Sequence, residues 1–206
     1  MKIAALFVAS DGPYTNQIDI DAWDECRDAR KYNGPYPVIA HPPCQRWGKY
    51  YAGSPLVIAR TGHRFKKGDD NGCFESALKS VRTYGGVLEH PASSFAFNYY
   101  GLPIPDKQEQ WTAFDEHGGA SIYVEQGNYG HRIRKPTWLY AISTYLPEVD
   151  RTVKPLNIPK SAILKVGEKE AYRRGELAYC PKPERIHTPQ QFLELLKHIA
   201  QGLGPC

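Results

Sequence analysis

The apolar positions of the chain fall in short runs, each stopped by proline, glycine or a polar cluster. Residues 2–9 are mostly apolar and weakly alternating, the pattern of a buried first strand. Asp11-Gly12-Pro13-Tyr14 forces a turn after it. Residues 21–32 are polar, with Ala22, Cys26 and Ala29 on one narrow stripe, which predicts a helix stopped by Asn33-Gly34-Pro35. Pro37-Val38-Ile39-Ala40-His41 reads as a second buried strand that ends at Pro42-Pro43. Residues 45–68 mix aromatic and basic residues with scattered glycines and predict an irregular loop holding one short helix.

Phe74, Ala77, Leu78 and Val81 recur at helical spacing, so a helix is expected over 73–84, preceded by Asp70-Asn71-Gly72 and closed by Gly85-Gly86. Further strands are expected at 87–90, 121–126 and 138–142, with a short helix around 108–116. From 147 to 183 prolines, glycines and charges dominate, as in a small irregular insert or a partly mobile segment. Thr188-Pro189 then opens a last helix, threonine as its cap and proline in its first turn, with Phe192, Leu195, Leu196 and Ile199 as its apolar face. Strands alternating with helices argue for an α/β sheet. The expected division is a core over 1–146, an insert over 147–187 and a helix over 188–206 that packs on the core.

Composition narrows the class. The 206 residues are 41% hydrophobic and 23% charged, enough to build a core. No apolar run approaches a membrane span, and the apolar N-terminal run is too short for a signal peptide, so a cytoplasmic location is expected. Five cysteines, an odd number with no C-x-x-C pair, argue against a disulfide framework and against a structural zinc site. Cys26 and Cys73 read as small buried hydrophobes. A net charge of +4 permits a polyanionic partner without demanding one.

Three strand ends deliver polar clusters: His41-Pro42-Pro43-Cys44-Gln45, Glu89-His90-Pro91, and the run from Gln126 through Arg132 and Arg134 to Lys135. In an open α/β sheet such ends share one crevice. A thiol, a carboxyl and guanidinium groups gathered there suit pyrimidine chemistry. A thiolate added at carbon 6 breaks the aromaticity and makes carbon 5 nucleophilic. A carboxyl group at nitrogen 3 takes up the developing charge, and arginines hold the base carbonyl or a phosphate. Two prolines stiffen the loop before the thiol. His41 and His90 are hydrogen-bonding residues rather than metal ligands on this reading, since no matching ligand set accompanies them. Arg46-Trp47-Gly48-Lys49-Tyr50-Tyr51 has the composition to stack on bases, or equally to cover the core.

These motifs resemble those of the DNA cytosine-5 methyltransferases. Pro42-Pro43-Cys44-Gln45 matches the family's Pro-Pro-Cys-Gln loop, and Leu88-Glu89-His90-Pro91 is similar to its Glu-Asn-Val/Pro element, with His90 in place of Asn. Asp70-Asn71-Gly72-Cys73-Phe74-Glu75 is similar to the helix opening between them. Asn128-Tyr129-Gly130 and the Arg132-Ile133-Arg134 run before a strand follow in the family's order, and Ala5–Gly12 echoes its first, cofactor-binding motif. The short length and motif wording look like compact methyltransferase-like proteins of bacteriophages.

The resemblance implies a reduced Rossmann-like, methyltransferase-type sheet and DNA or a pyrimidine nucleotide as partner. It implies Cys44 as covalent nucleophile, Glu89 at ring nitrogen 3, and Arg132 and Arg134 on the base or its phosphate. It places S-adenosylmethionine beside Phe7, Asp11, Gly12 and Pro42, and the substrate beside Pro43, Gln45, Arg46, Trp47, His90 and Tyr129. Two features depart from the family. Its Gly-x-Gly is absent, and about 30 residues between Gly12 and Pro42, room for one helix and its loops, stand where the family has two more strands. Asp21, Asp24 and Glu25 are the acids available there for a ribose. The region expected to read base sequence is only 143–187. The alternatives are pyrimidine modification without S-adenosylmethionine by the same Cys/Glu pair, and an inactive DNA-binding protein of the same fold.

Overall fold

Pairing of short apolar runs builds one six-stranded mixed sheet with helices against both faces, an α/β architecture compatible with a Rossmann-like fold. The computed structural model describes residues 1–15, 17–53, 55–131, 134–150 and 186–203. The strands are β1 (Ile3–Leu6), β2 (Ile20–Trp23), β3 (Val38–Ala40), β4 (Gly86–Pro91), β5 (Ala120–Glu125) and β6 (Pro136–Ile142), in spatial order β2-β1-β3-β4-β6-β5. The first four run parallel, and β6 lies antiparallel between β4 and β5. The helices are α1 (Pro55–Thr61), α2 (Cys73–Tyr84), α3 (Phe95–Tyr99) and α4 (Gln190–Gln201). Among the described residues no helix is long and apolar enough to cross a membrane.

Strand alternation sorts the core into two layers. Ala4, Leu6, Val38, Ala40, Leu88 and Tyr140 meet Phe74, Ala77, Leu78 and Val81 of α2. Ile3, Ala5, Ile39, Val87, Leu139 and Ala141 meet Phe192, Leu193, Leu196 and Ile199 of α4. Gly86 starts β4 at φ +119, where an added Cβ would stand 2.0 Å from the Val38 carbonyl oxygen, so only glycine lets β4 lie this close to β3.

Residues 21–32 do not form the expected helix. Residues 20–23 pair with β1 as an edge strand, because the backbone groups of β1 need a partner on that side and Ile20 is buried on the α4 face. Asp24 ends the strand by accepting the amides of Cys26 and Arg27, and only Ala29–Lys31 wind into a 3-10 turn. The helix expected around 108–116 is also replaced by turns. Asp106 accepts the Gln108 amide, and Asp115 accepts those of His117 and Gly119, local bonds that compete with a helix. The unexpected α3 is one short segment capped by the Ser94 hydroxyl. The last helix begins at Gln190 with Pro189 as its cap and no side-chain cap, so Thr188 does not cap it. Cys26 is exposed and Cys73 half-buried, unlike the buried thiols expected. Most of the 147–187 segment (151–185) and residue Arg132 lie outside the described residues.

Candidate active site

The carboxyl ends of β1 to β5 and the start of the reversed β6 all open on one edge of the sheet, and the strand order changes direction between β1 and β3. Ligand crevices of open α/β sheets form at such a switch. The loop leaving β3 crosses it. The His41 amide bonds the Leu6 carbonyl at 3.0 Å, Pro42 is buried, and Pro43, Cys44 and Gln45 are exposed. Trp47 anchors the loop from behind. It is 1% exposed, its amide bonds the Cys44 carbonyl at 3.0 Å, and its indole N–H donates to Asp70 at 2.7 Å. Trp47 therefore belongs to the core, not to the crevice wall. Asp70 also accepts the amides of Gly72 and Phe74, tying the loop to the first turn of α2.

Glu89 enters from the α4 face of β4. One carboxylate oxygen accepts from Gln126 Nε2 at 2.9 Å and from the Thr137 hydroxyl at 3.5 Å, and the other meets His41 Nδ1 at 3.1 Å. Burial alone pushes the Glu89 carboxyl up. The His41 hydrogen bond foremost, with the Lys135 charge and the charges that His41 and His90 carry when protonated, outweighs that and holds it below the usual carboxylate range. Cys44 responds in the opposite sense. Protein atoms crowding its sulfur, and the Glu89 charge, raise the thiol above its ordinary value against a backbone hydrogen bond and the Lys135 charge. At rest Cys44 is thus a thiol and Glu89 a carboxylate.

His90, the neighbour of Glu89, faces the other way. It is 1% exposed and edge-on to the Phe74 ring at 5.1 Å, behind the loop rather than in the crevice. Arg134 is committed to Glu125 at 2.5 Å, and Glu125 also accepts the Tyr123 hydroxyl. The Tyr129 ring packs on Phe192, and its hydroxyl accepts the Asp150 amide. Arg46 is half-buried over the Phe65 ring.

On the α2 side lies a cavity of about 710 Å³, in the range of small-molecule sites. Phe7, Val8, Asp24, Glu25, Pro43 and Gln45 form its wall near the strand ends. Asp28, Asp69, Asp70, Arg30 and Arg46 add charge. Phe7 turns away from β1 at φ 60, an uncommon conformation for a bulky residue, which brings it to the cavity. Asp11, Gly12 and Pro42 stand outside the lining. Of the three acids in the second strand region, Asp21 is engaged with Trp23 and Arg27, whereas Asp24 and Glu25 reach the cavity.

Sequence reasoning missed Tyr14 and Thr137, and gave Gln126 and Lys135 only as members of a polar strand-end cluster. Their partners are distant in the chain, so no spacing betrays them. Comparison with known proteins finds no matching family model, no matching curated relative and no matching solved structure.

Proposed function

We propose that the chain is a DNA cytosine-5 methyltransferase-like enzyme of the reduced Rossmann-like, methyltransferase type, with Cys44 as nucleophile and Glu89 as its acid–base partner. The observation that carries this reading is the place of Cys44. Its chain neighbours Pro43 and Gln45 line the cavity, and the loop that carries it begins at His41, whose Nδ1 lies 3.1 Å from the Glu89 carboxylate.

The Cys44 proton leaves to the Glu89 carboxylate, and the sulfur bonds carbon 6 of the ring. The carbon 5–carbon 6 π pair shifts toward carbon 4, the carbon 4–nitrogen 3 pair collapses onto nitrogen 3, and nitrogen 3 takes the proton from Glu89. Carbon 5 is then electron-rich. After substitution there, the carbon 5 proton is lost to solvent, the sulfur leaves with its bonding pair as thiolate, and the nitrogen 3 proton returns to Glu89, which restores the aromatic ring. The cavity lining supports S-adenosylmethionine as the methyl donor: Asp24, fixed by Ser10 and two backbone amides, is a wall carboxylate that would accept ribose hydroxyls. The excess of carboxylates over Arg30 and Arg46 suits a nucleoside carrying sulfonium and ammonium charges better than a polyphosphate. When bound, that molecule supplies an electrophilic methyl group. Arg46, Lys49, Arg60, Arg64, Lys66 and Lys67, with no acid between 45 and 68, favour a polynucleotide as the carrier of the base.

The test is an oligodeoxynucleotide containing 5-fluorocytosine, whose fluorine cannot leave as the carbon 5 proton does. A covalent complex on denaturing gels, together with methyl incorporation into unmodified DNA, both lost in Cys44→Ser, is expected. An adduct without methyl incorporation assigns the same pair to S-adenosylmethionine-independent pyrimidine modification. No adduct, with salt-sensitive DNA binding unchanged in Cys44→Ala, makes the chain a binding protein.

A further inference from the structure

Behind Glu89 runs a line of side chains that the proposed chemistry has not used. The Tyr14 hydroxyl lies 2.5 Å from His41 Nε2, and His41 Nδ1 lies 3.1 Å from Glu89. Thr188, from the turn before α4, hydrogen-bonds the Tyr14 hydroxyl. We propose that Tyr14 and His41 are positioning residues: this line holds the Glu89 carboxylate in the orientation in which it meets pyrimidine nitrogen 3. The proposal rests on the Cys44–Glu89 reading above.

Proton inventory fixes the direction of the line. Burial foremost, then the Glu89 charge, hold the Tyr14 phenol protonated at any working pH, against the Thr188 hydrogen bond. The ionised Glu89 carboxylate only accepts, so His41 Nδ1–H donates to it, and Nε2 of the neutral imidazole is left to accept the phenol proton. Gln126 holds the other carboxylate oxygen, so His41 is the partner that fixes this one. What it adds is direction, on an imidazole held at both nitrogens. Both side chains sit at the crevice edge, His41 14% and Glu89 12% exposed. The chain runs from His41 through the two prolines to Cys44, so one short loop carries both the nucleophile and the group that orients its partner.

The charged and titratable groups that act on Glu89 are His41 at the end of β3, Tyr14 in the turn after β1, Lys135 before β6 and Cys44 in the loop, with His90 acting from the opposite face of its own strand. Facing His41 are Tyr14 and Glu89. His41 lowers the Glu89 titration, so its removal raises it. A proton acceptor that titrates higher moves the acid limb of the rate profile to higher pH.

The experiment measures the rate of adduct formation with the 5-fluorocytosine oligonucleotide against pH, with circular dichroism as a check of folding. His41→Ala is expected to lose about 100-fold at neutral pH, with the acid limb moved up. His41→Asn, which keeps an N–H for Glu89, recovers most of that rate. Tyr14→Phe loses about tenfold, the loss expected of one positioning hydrogen bond. A second readout is independent of activity. The ¹⁵N spectrum of His41 should show a proton on Nδ1 and an acceptor Nε2, a preference weakened in Tyr14→Phe. Wild-type rate and profile in both His41→Ala and Tyr14→Phe, or an Nε2–H tautomer in the wild type, overturn the proposal. If the wild type forms no adduct, the Cys44 reading fails, and the ¹⁵N spectrum still decides whether the line exists.

Discussion

Acidification from pH 7 to pH 4 should strike first at His90. The side chain is 1% exposed, and among the described residues neither ring nitrogen finds a hydrogen-bond partner. Burial pushes the imidazole down to about 4, against the Glu89 charge, the Pro43 backbone carbonyl and the Asp70 charge, which oppose the shift without reversing it. In the unfolded chain the same ring titrates near 6.5. Between those values the unfolded state binds more protons than the folded one, so stability rises with pH and is lost as pH falls from about 6.5 to about 4. The gap corresponds to about 3 kcal/mol, a large part of the 5–15 kcal/mol typical of a domain. Glu89 works in the same direction. Its folded value is depressed, so its contribution is lost as pH falls through the carboxylate range and below, largely beneath the His90 window. The assay is urea unfolding of the wild type and His90→Phe, a non-titrating ring of similar size beside Phe74, at intervals from pH 7 to 4.5. Below pH 6 the wild-type stability should fall more steeply than that of the variant by up to about 1.4 kcal/mol per pH unit, the slope of one proton. Parallel curves with equal m-values would refute the argument.

Glu89→Gln removes a negative charge that raises the Cys44 thiol, so at pH 8 Cys44 alkylation should accelerate several-fold, read by peptide mass spectrometry to separate it from the exposed Cys26. The same variant should lose the pyrimidine adduct. Gly86→Ala should cost about 3 kcal/mol or more, because its Cβ meets the Val38 backbone and its φ is +119; the thermal midpoint measures it. Asp70→Ala releases the Trp47 indole and the amides of Gly72 and Phe74, an expected loss of about 2–3 kcal/mol by urea unfolding.

Strong local periodicity was readable. The helix over 73–84 and the strands beginning near 38, 87, 121 and 137 are all present, since their apolar residues repeat with the period of the element that buries them. The second strand was not readable. Asp21 interrupts its four-residue run and Asp24 follows it directly, and it exists because β1 presents an unpaired edge. Cys44 was legible as a residue of the loop leaving β3, and Glu89 as a polar residue in the second half of β4. The Tyr14–His41 contact was not, because a separation of 27 residues across a turn leaves no pattern in the chain. Trp47 was ambiguous for a different reason: an aromatic beside cations has the same composition whether it stacks on a ligand or on Phe74, and only the Asp70 contact decides.

The parity of β4 joins these observations. Val87 packs on the α4 side and Leu88 on the α2 side, so Glu89 falls with the Tyr14–His41 line and His90 falls against Phe74. A slip of one residue would exchange them, placing an ionised carboxylate in the apolar Phe74 pocket and a neutral imidazole in the crevice. The close approach of Gly86 to Val38, together with the β4–β6 register that sets Glu89 opposite Leu139, holds that choice. The cavity lies on the α2 side and the carboxylate on the α4 side, so a residue acting on both must stand on a loop that crosses the sheet edge at the switch point. The loop after β3 does so, which is why the thiol it carries is the group to test first.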